Sequence, residues 1–85
     1  MESMTQLEMI GFMRIYSGGG KSASGVEMSC VRSAANSGKW VLVLSVNGKP
    51  IKLKSNREDV RTFATLEAAH KVSSSIVNSM TIIGQ

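Results

Sequence analysis

The stretch IYSGGGKSASG, residues 15–25, has the ingredients of a phosphate-binding loop: an apolar start, three glycines, then Lys21 and Ser22. Such a loop curls its backbone N–H groups around phosphate between two separated glycines and presents Lys and Ser or Thr at the start of a helix. Counting back from Gly20-Lys21-Ser22, the first required glycine falls on Ile15, and the leading lysine of the variant form falls on Tyr16. Ser24-Gly25 stands where the first helical turn belongs, and Gly is among the poorest helix residues. The most apolar run, WVLVLSV, ends in Asn47-Gly48 and supplies no carboxylate for magnesium. The supporting doubly wound sheet takes several βαβ units of roughly 30 residues each, and the chain has 85 residues in total. Residues 17–25 therefore read as a flexible Gly/Ser loop, with no ATP binding and no cofactor.

Other reactive side chains are sparse. Cys30 is the single cysteine and His70 the single histidine, so neither an internal disulfide nor a zinc cluster can be assembled. Cys30 sits among apolar residues in VEMSCVRS and reads as a small buried hydrophobe. No Ser or Cys with an orienting carboxylate can be named as a partner for His70. The chain is expected not to be an enzyme. Trp40, one of four aromatic residues, reads as a core or core-edge side chain rather than a stacking platform for bases. Four of the six methionines fall within the first thirteen residues, as core filler, as an adaptable contact surface, or in a disordered start.

Charge is more informative once it is located. Residues 39–61 hold Lys39, Lys49, Lys52, Lys54, Arg57 and Arg61 against Glu58 and Asp59, and the remaining residues balance, so the whole net charge of +4 arises there. Such clustering favours a polyanion partner. The competing explanation is that lysines on an edge strand block sheet-to-sheet aggregation. With no apolar run near ~18 residues and an acidic rather than basic N-terminus, no membrane partner is expected and the chain reads as cytoplasmic.

These residues need elements to hold them. A single domain over 1–85 is expected, with 1–6 disordered. Two β-rich runs flank Asn47-Gly48, the pair suited to a tight hairpin, so Trp40–Val46 should pair with Lys49–Ser55. In the second run Ile51 and Leu53 alternate with Lys52 and Lys54, which puts a lysine stripe on the face opposite the core. VRTFA reads as a short strand. Thr65 is a good N-cap, and Leu66, Ala69, Val72 and Ile76 repeat at helical spacing, so one main helix is expected from about Leu66 to Val77. VEMSCVRS reads as a strand, AANSG as a turn and MTIIG as a closing strand. LEMIGFMRIY has β character from Ile10 to Tyr16, although Leu7, Ile10 and Met13 also suit a short helix; it is read as a strand. The fold class is α+β, a small antiparallel sheet packed against one main helix.

Gly38, Lys39 and Trp40, followed by Phe63, Thr65, Glu67, Ala68 and Ala69, resemble the DNA-binding module of plant ethylene-response-factor proteins and of some integrases. RTFATLEAA is also similar to a segment of small accessory proteins of plasmids and other mobile elements. The resemblance covers residues 38–72. It implies a three-stranded sheet on a helix, with the exposed sheet face entering the major groove. Where that module carries an arginine-rich strand, this chain has VLVLSV. The resulting expectation is a small basic DNA-binding accessory protein that contacts phosphates of double-stranded DNA through Lys39, Lys49, Lys52, Lys54, Arg57 and Arg61. The alternative is a dimeric protein–protein interaction scaffold, because Val41 and Val43 need cover and one helix protects only one face of a sheet.

Overall fold

The computed structural model describes residues 2–20, 23–33 and 38–83. Lys21 and Ser22 of the glycine loop, most of the AANSG turn (34–37) and Gly84 lie outside the described residues. In chain order the elements are β1 (Glu2–Met4), α1 (Gln6–Tyr16), β2 (Val26–Ser33), β3 (Lys39–Val46), β4 (Lys49–Leu53), β5 (Thr62–Phe63), α2 (Leu66–Ser73) and β6 (Thr81–Ile83). The fold is α+β, with a sheet of order β1-β4-β3-β2-β6 and β5 paired to β3.

The hairpin forms where the sequence places it. Asn47 and Gly48 take φ of 51° and 85°, the two positive angles that let a two-residue turn follow the twist of its strands. Leu44 then faces Ile51, and Val43 faces Lys52. The sheet is not purely antiparallel, however. β2, β3 and β4 form an antiparallel centre, and β1 and β6 join its edges parallel to β4 and β2. A helix lies between β1 and β2 and another between β5 and β6, and a helical crossover returns the chain to point the same way.

Ile10–Tyr16, read above as a strand, belongs to helix α1. Its determinant lies just upstream. Thr5 Oγ1 accepts the Glu8 backbone N–H at 3.2 Å while Glu8 Oε1 accepts the Thr5 N–H at 2.8 Å, a reciprocal capping box. Met9 and Met13, one turn apart, are then buried together. Residues 2–4, expected to be disordered, form β1: they pair with Ile51–Leu53, and the Glu2 carboxylate meets Lys49 Nζ at 2.6 Å. α2 begins at the Thr65 cap as expected but ends at Ser73, short of Val77. Ser74 and Ser75 hydroxyls donate to the Lys71 and Val72 carbonyls, and such local bonds compete with helix continuation.

Both crossovers run from the β4 side of the sheet to the β2 side, between strands that point the same way. Crossovers of one hand must then put both helices on one face, and right-handed connection is the strong preference. Burial agrees. Met9 and Met13 of α1 and Ala69 of α2 form one core with Met28, Cys30, Leu42, Leu44, Ile51, Leu53 and Phe63, all on the same sheet face. Val31, Val41 and Val43, on the other face, stand outside that core cluster; Val41 is nonetheless buried by its surroundings in the sheet, and Val31 and Val43 are half-buried.

Two local consequences are testable. Gly25 enters β2 with φ of +79°, its carbonyl accepts the Asn47 N–H at 2.7 Å, and an added Cβ would collide with Asn47 Oδ1. Gly25→Ala should therefore lose stability by about 1–2 kcal/mol from backbone strain alone, read by urea unfolding. Glu2 and Glu8 are held below the usual carboxylate range, the first chiefly by its hydrogen bond to Lys49 and the second by the Thr5 backbone N–H. On acidification the unfolded chain takes up these protons first. Their stabilisation is thus complete above the ordinary glutamate value of about 4.3 and lost as pH falls through the lowered values. Carboxyl NMR titration should show both midpoints below that value, with β1 and the first turn of α1 loosening together.

Candidate nucleic-acid interface

Because both helices lie on one face, the other is free of helical cover, and the strand register sets what it presents. One row across the sheet runs Ser3, Lys52, Val43, Ser29, Thr81; the next runs Thr62, Val41, Val31, Ile83. A third holds Pro50, Ser45 and Glu27. Lys39 shares the face, two positions before Val41 on β3. The centre is thus a valine strip, bordered by five hydroxyl side chains and two lysines, with Glu27 as the acid in these rows.

The six predicted cations are not brought together. Lys52 and Lys39 share the helix-free face. Four residues along a strand and one strand across separate them by about 14 Å. Lys54 follows the last residue of β4, with its backbone N–H on the Met4 carbonyl at 2.8 Å. Its half-buried side chain borders a groove shared with Gln6, Leu7, Ser55 and Arg61, close enough to Glu8 to help lower that carboxyl. Arg57 is exposed in a turn that the Ser55 hydroxyl organises by accepting the Arg57 and Glu58 N–H groups. Lys49 is engaged with Glu2. Arg61 is a strut on the covered side: its guanidinium donates to Gln6 Oε1 at 3.1 Å and lies 5.1 Å over the Phe63 ring.

The alternation of Ile51 and Leu53 with Lys52 is as expected, the two apolar side chains being buried and Lys52 facing away from them. The hydroxyls of Ser3, Ser29, Ser45, Thr62 and Thr81 were not singled out by the sequence reading. Their signal is period-two spacing in register with Lys52, visible only once strand pairing is known. Trp40 is turned into the core edge, with the Arg32 guanidinium 5.9 Å from its ring centroid, so it offers no platform on the open face.

The other reactive groups are placed as follows. The Gly18–Gly20 run comes after the C-terminus of α1 and leads toward β2. That order, helix then loop then strand, points the negative end of the helix dipole at the loop and is the reverse of a phosphate-binding loop. Cys30 is fully buried and burial raises its thiol pKa, which removes the nucleophilic thiolate. His70 is exposed on α2. Among the described residues there is no cluster of three or more His, Cys, Asp or Glu able to hold a metal, and no helix is long and apolar enough to cross a membrane. Comparison of the chain with protein-family models, curated proteins and solved structures gives no match.

Proposed function

We propose that the chain is a small non-enzymatic nucleic-acid-binding protein, an accessory protein of the mobile-element kind, that holds double-stranded DNA against the helix-free face of its sheet. The observation that carries this is the placement of Lys39 and Lys52 about 14 Å apart on that face, near the ~12 Å width of the major groove. Each lysine then meets the phosphates of one groove wall. Ser and Thr hydroxyls add phosphate contacts, and half-buried Val31 and Val43 meet base edges, including thymine methyl groups, without a donor and acceptor pattern that would specify sequence. Lys54 and Arg57 extend the basic border at the end of β4, while Lys49 and Arg61 serve the fold.

Fluorescence anisotropy with labelled duplex DNA in low salt tests this. Lys39→Glu and Lys52→Glu should each weaken binding, and Lys49→Glu should weaken it much less. Equal losses at all three positions would mean a diffuse effect of net charge and would overturn the interface. A second reading, a protein-docking scaffold, is favoured by half-buried Val31 and Val43, which no helix covers. Under it the lysine reversals leave partner binding intact and Val43→Asp abolishes it.

A further inference from the structure

We infer that α1 is also the contact through which two copies of this chain pair, antiparallel, crossing at Gly11. The proposal is independent of the sheet face. Leu7 and Ile15 are 81% and 87% exposed, the two most exposed large apolar side chains among the described residues. With Gly11 they fall at four-residue spacing and so form one ridge on the side of α1 away from buried Met9 and Met13. Gly11 is the anomaly. It lies mid-helix, where glycine is the poorest residue after proline, its φ is not positive, and an added Cβ would meet nothing within 4 Å. Nothing within the described fold uses the space it leaves. A second helix crossing there would use it.

The sequence around Gly11 is self-complementary under a two-fold axis. Leu7 and Ile15 lie four residues before and after it, each about 40° round the helix on opposite flanks; Glu8 and Arg14 lie three before and after, about 60° round on the other flanks. Rotating a copy by two-fold symmetry about the Gly11 direction sets Leu7 of one chain against Ile15 of the other, and Glu8 against Arg14. The apolar contact and the ion pair therefore each occur twice, as an isologous interface requires. A parallel arrangement would lose this match, because Glu8 would approach Glu8. One helix of 11 residues presents less area than a standard stable interface, so the dimer should be weak and concentration-dependent. The ridge points away from the sheet, which leaves the helix-free face of each copy open.

Sedimentation equilibrium of the full chain at concentrations up to about 1 mM should show a reversible monomer–dimer equilibrium. Gly11→Leu should weaken the dimer at least tenfold by filling the crossing point, and Ile15→Asp should do the same. The thermal midpoint of Gly11→Leu, followed by circular dichroism at low concentration, should stay level or rise, because leucine is the better helix former. Gly11→Cys, on the two-fold axis, should give a disulfide-linked dimer under mild oxidation. A chain that stays monomeric throughout, or a dimer that persists in either Gly11→Leu or Ile15→Asp, would overturn the proposal. DNA titration of the same variants separates the two surfaces, since binding through the sheet face does not depend on α1.

Discussion

Leu42→Ala should lower the unfolding free energy by about 2–5 kcal/mol, toward the upper end of that range. Leu42 is 0% exposed at the middle of β3, paired opposite Cys30, which is equally buried. Neighbours held by ladders on both sides cannot collapse into the space that truncation leaves, so the loss includes the cavity as well as the transferred methyl groups. A domain of this length has roughly 4–13 kcal/mol of stability in total. The variant should therefore be partly unfolded at physiological temperature, with a lower urea midpoint and little change in slope. Val43→Ala, one residue along but on the helix-free face, should cost about 1 kcal/mol or less, as for a partly solvated side chain. Comparable losses at the two positions would mean that the face of Val43 is also packed, contrary to the one-sided arrangement of α1 and α2.

What was legible in the sequence was local. Asn47-Gly48 named the turn because only a few residue pairs tolerate two positive φ angles, and once the turn is set the alternation of Ile51 and Leu53 with Lys52 follows with no further choice. Thr65 and the three- and four-residue spacing of Leu66, Ala69, Val72 and Ile76 after it named α2 in the same way. α1 was hidden by its own composition. Ile10, Phe12, Ile15 and Tyr16 favour strands on propensity, and Gly11 weakens any helical reading. The signal that outweighed them was Thr5-x-x-Glu8, which satisfies two backbone N–H groups before any hydrophobic pattern begins.

The site was less legible than the fold because its composition depends on pairing between distant segments. Six cations within 23 residues looked like one surface. Yet β1 arrives in parallel beside β4 and brings Glu2 to Lys49, and α1 brings Gln6 to Arg61; neither partner can be inferred from residues 39–61. The uncovered face has the same origin. One helix protects only one side, which left Val41 and Val43 in need of cover, and the second helix does not supply it, because two crossovers in the same direction stacked both helices on the first side. Val31, Val43 and the hydroxyls around them were left without helical cover as a result.

Reversing Lys39 and Lys52 together should lower DNA affinity by on the order of 100-fold at about 50 mM salt, and should flatten its salt dependence. The sequence suggested six phosphate contacts. With Lys49 held by Glu2 and Arg61 held by Gln6 and Phe63, four remain: Lys39, Lys52, Lys54 and Arg57. Each contact releases condensed counterions, so a plot of log affinity against log salt should have a slope of roughly −3.6 rather than the −5 or more of six contacts. Removing the two on the sheet face should bring it to roughly −1.8. Lys49→Glu should leave the slope near that of the unaltered chain, because its ammonium already has a carboxylate partner and points with Ile51 toward the other face. Slope and affinity therefore report different things: affinity alone falls for any loss of positive charge, whereas the slope counts the side chains that displace ions from the phosphates. A slope unchanged in the double variant, with affinity reduced, would place the DNA elsewhere on the molecule and leave the sheet face to the protein partner that its valines favour.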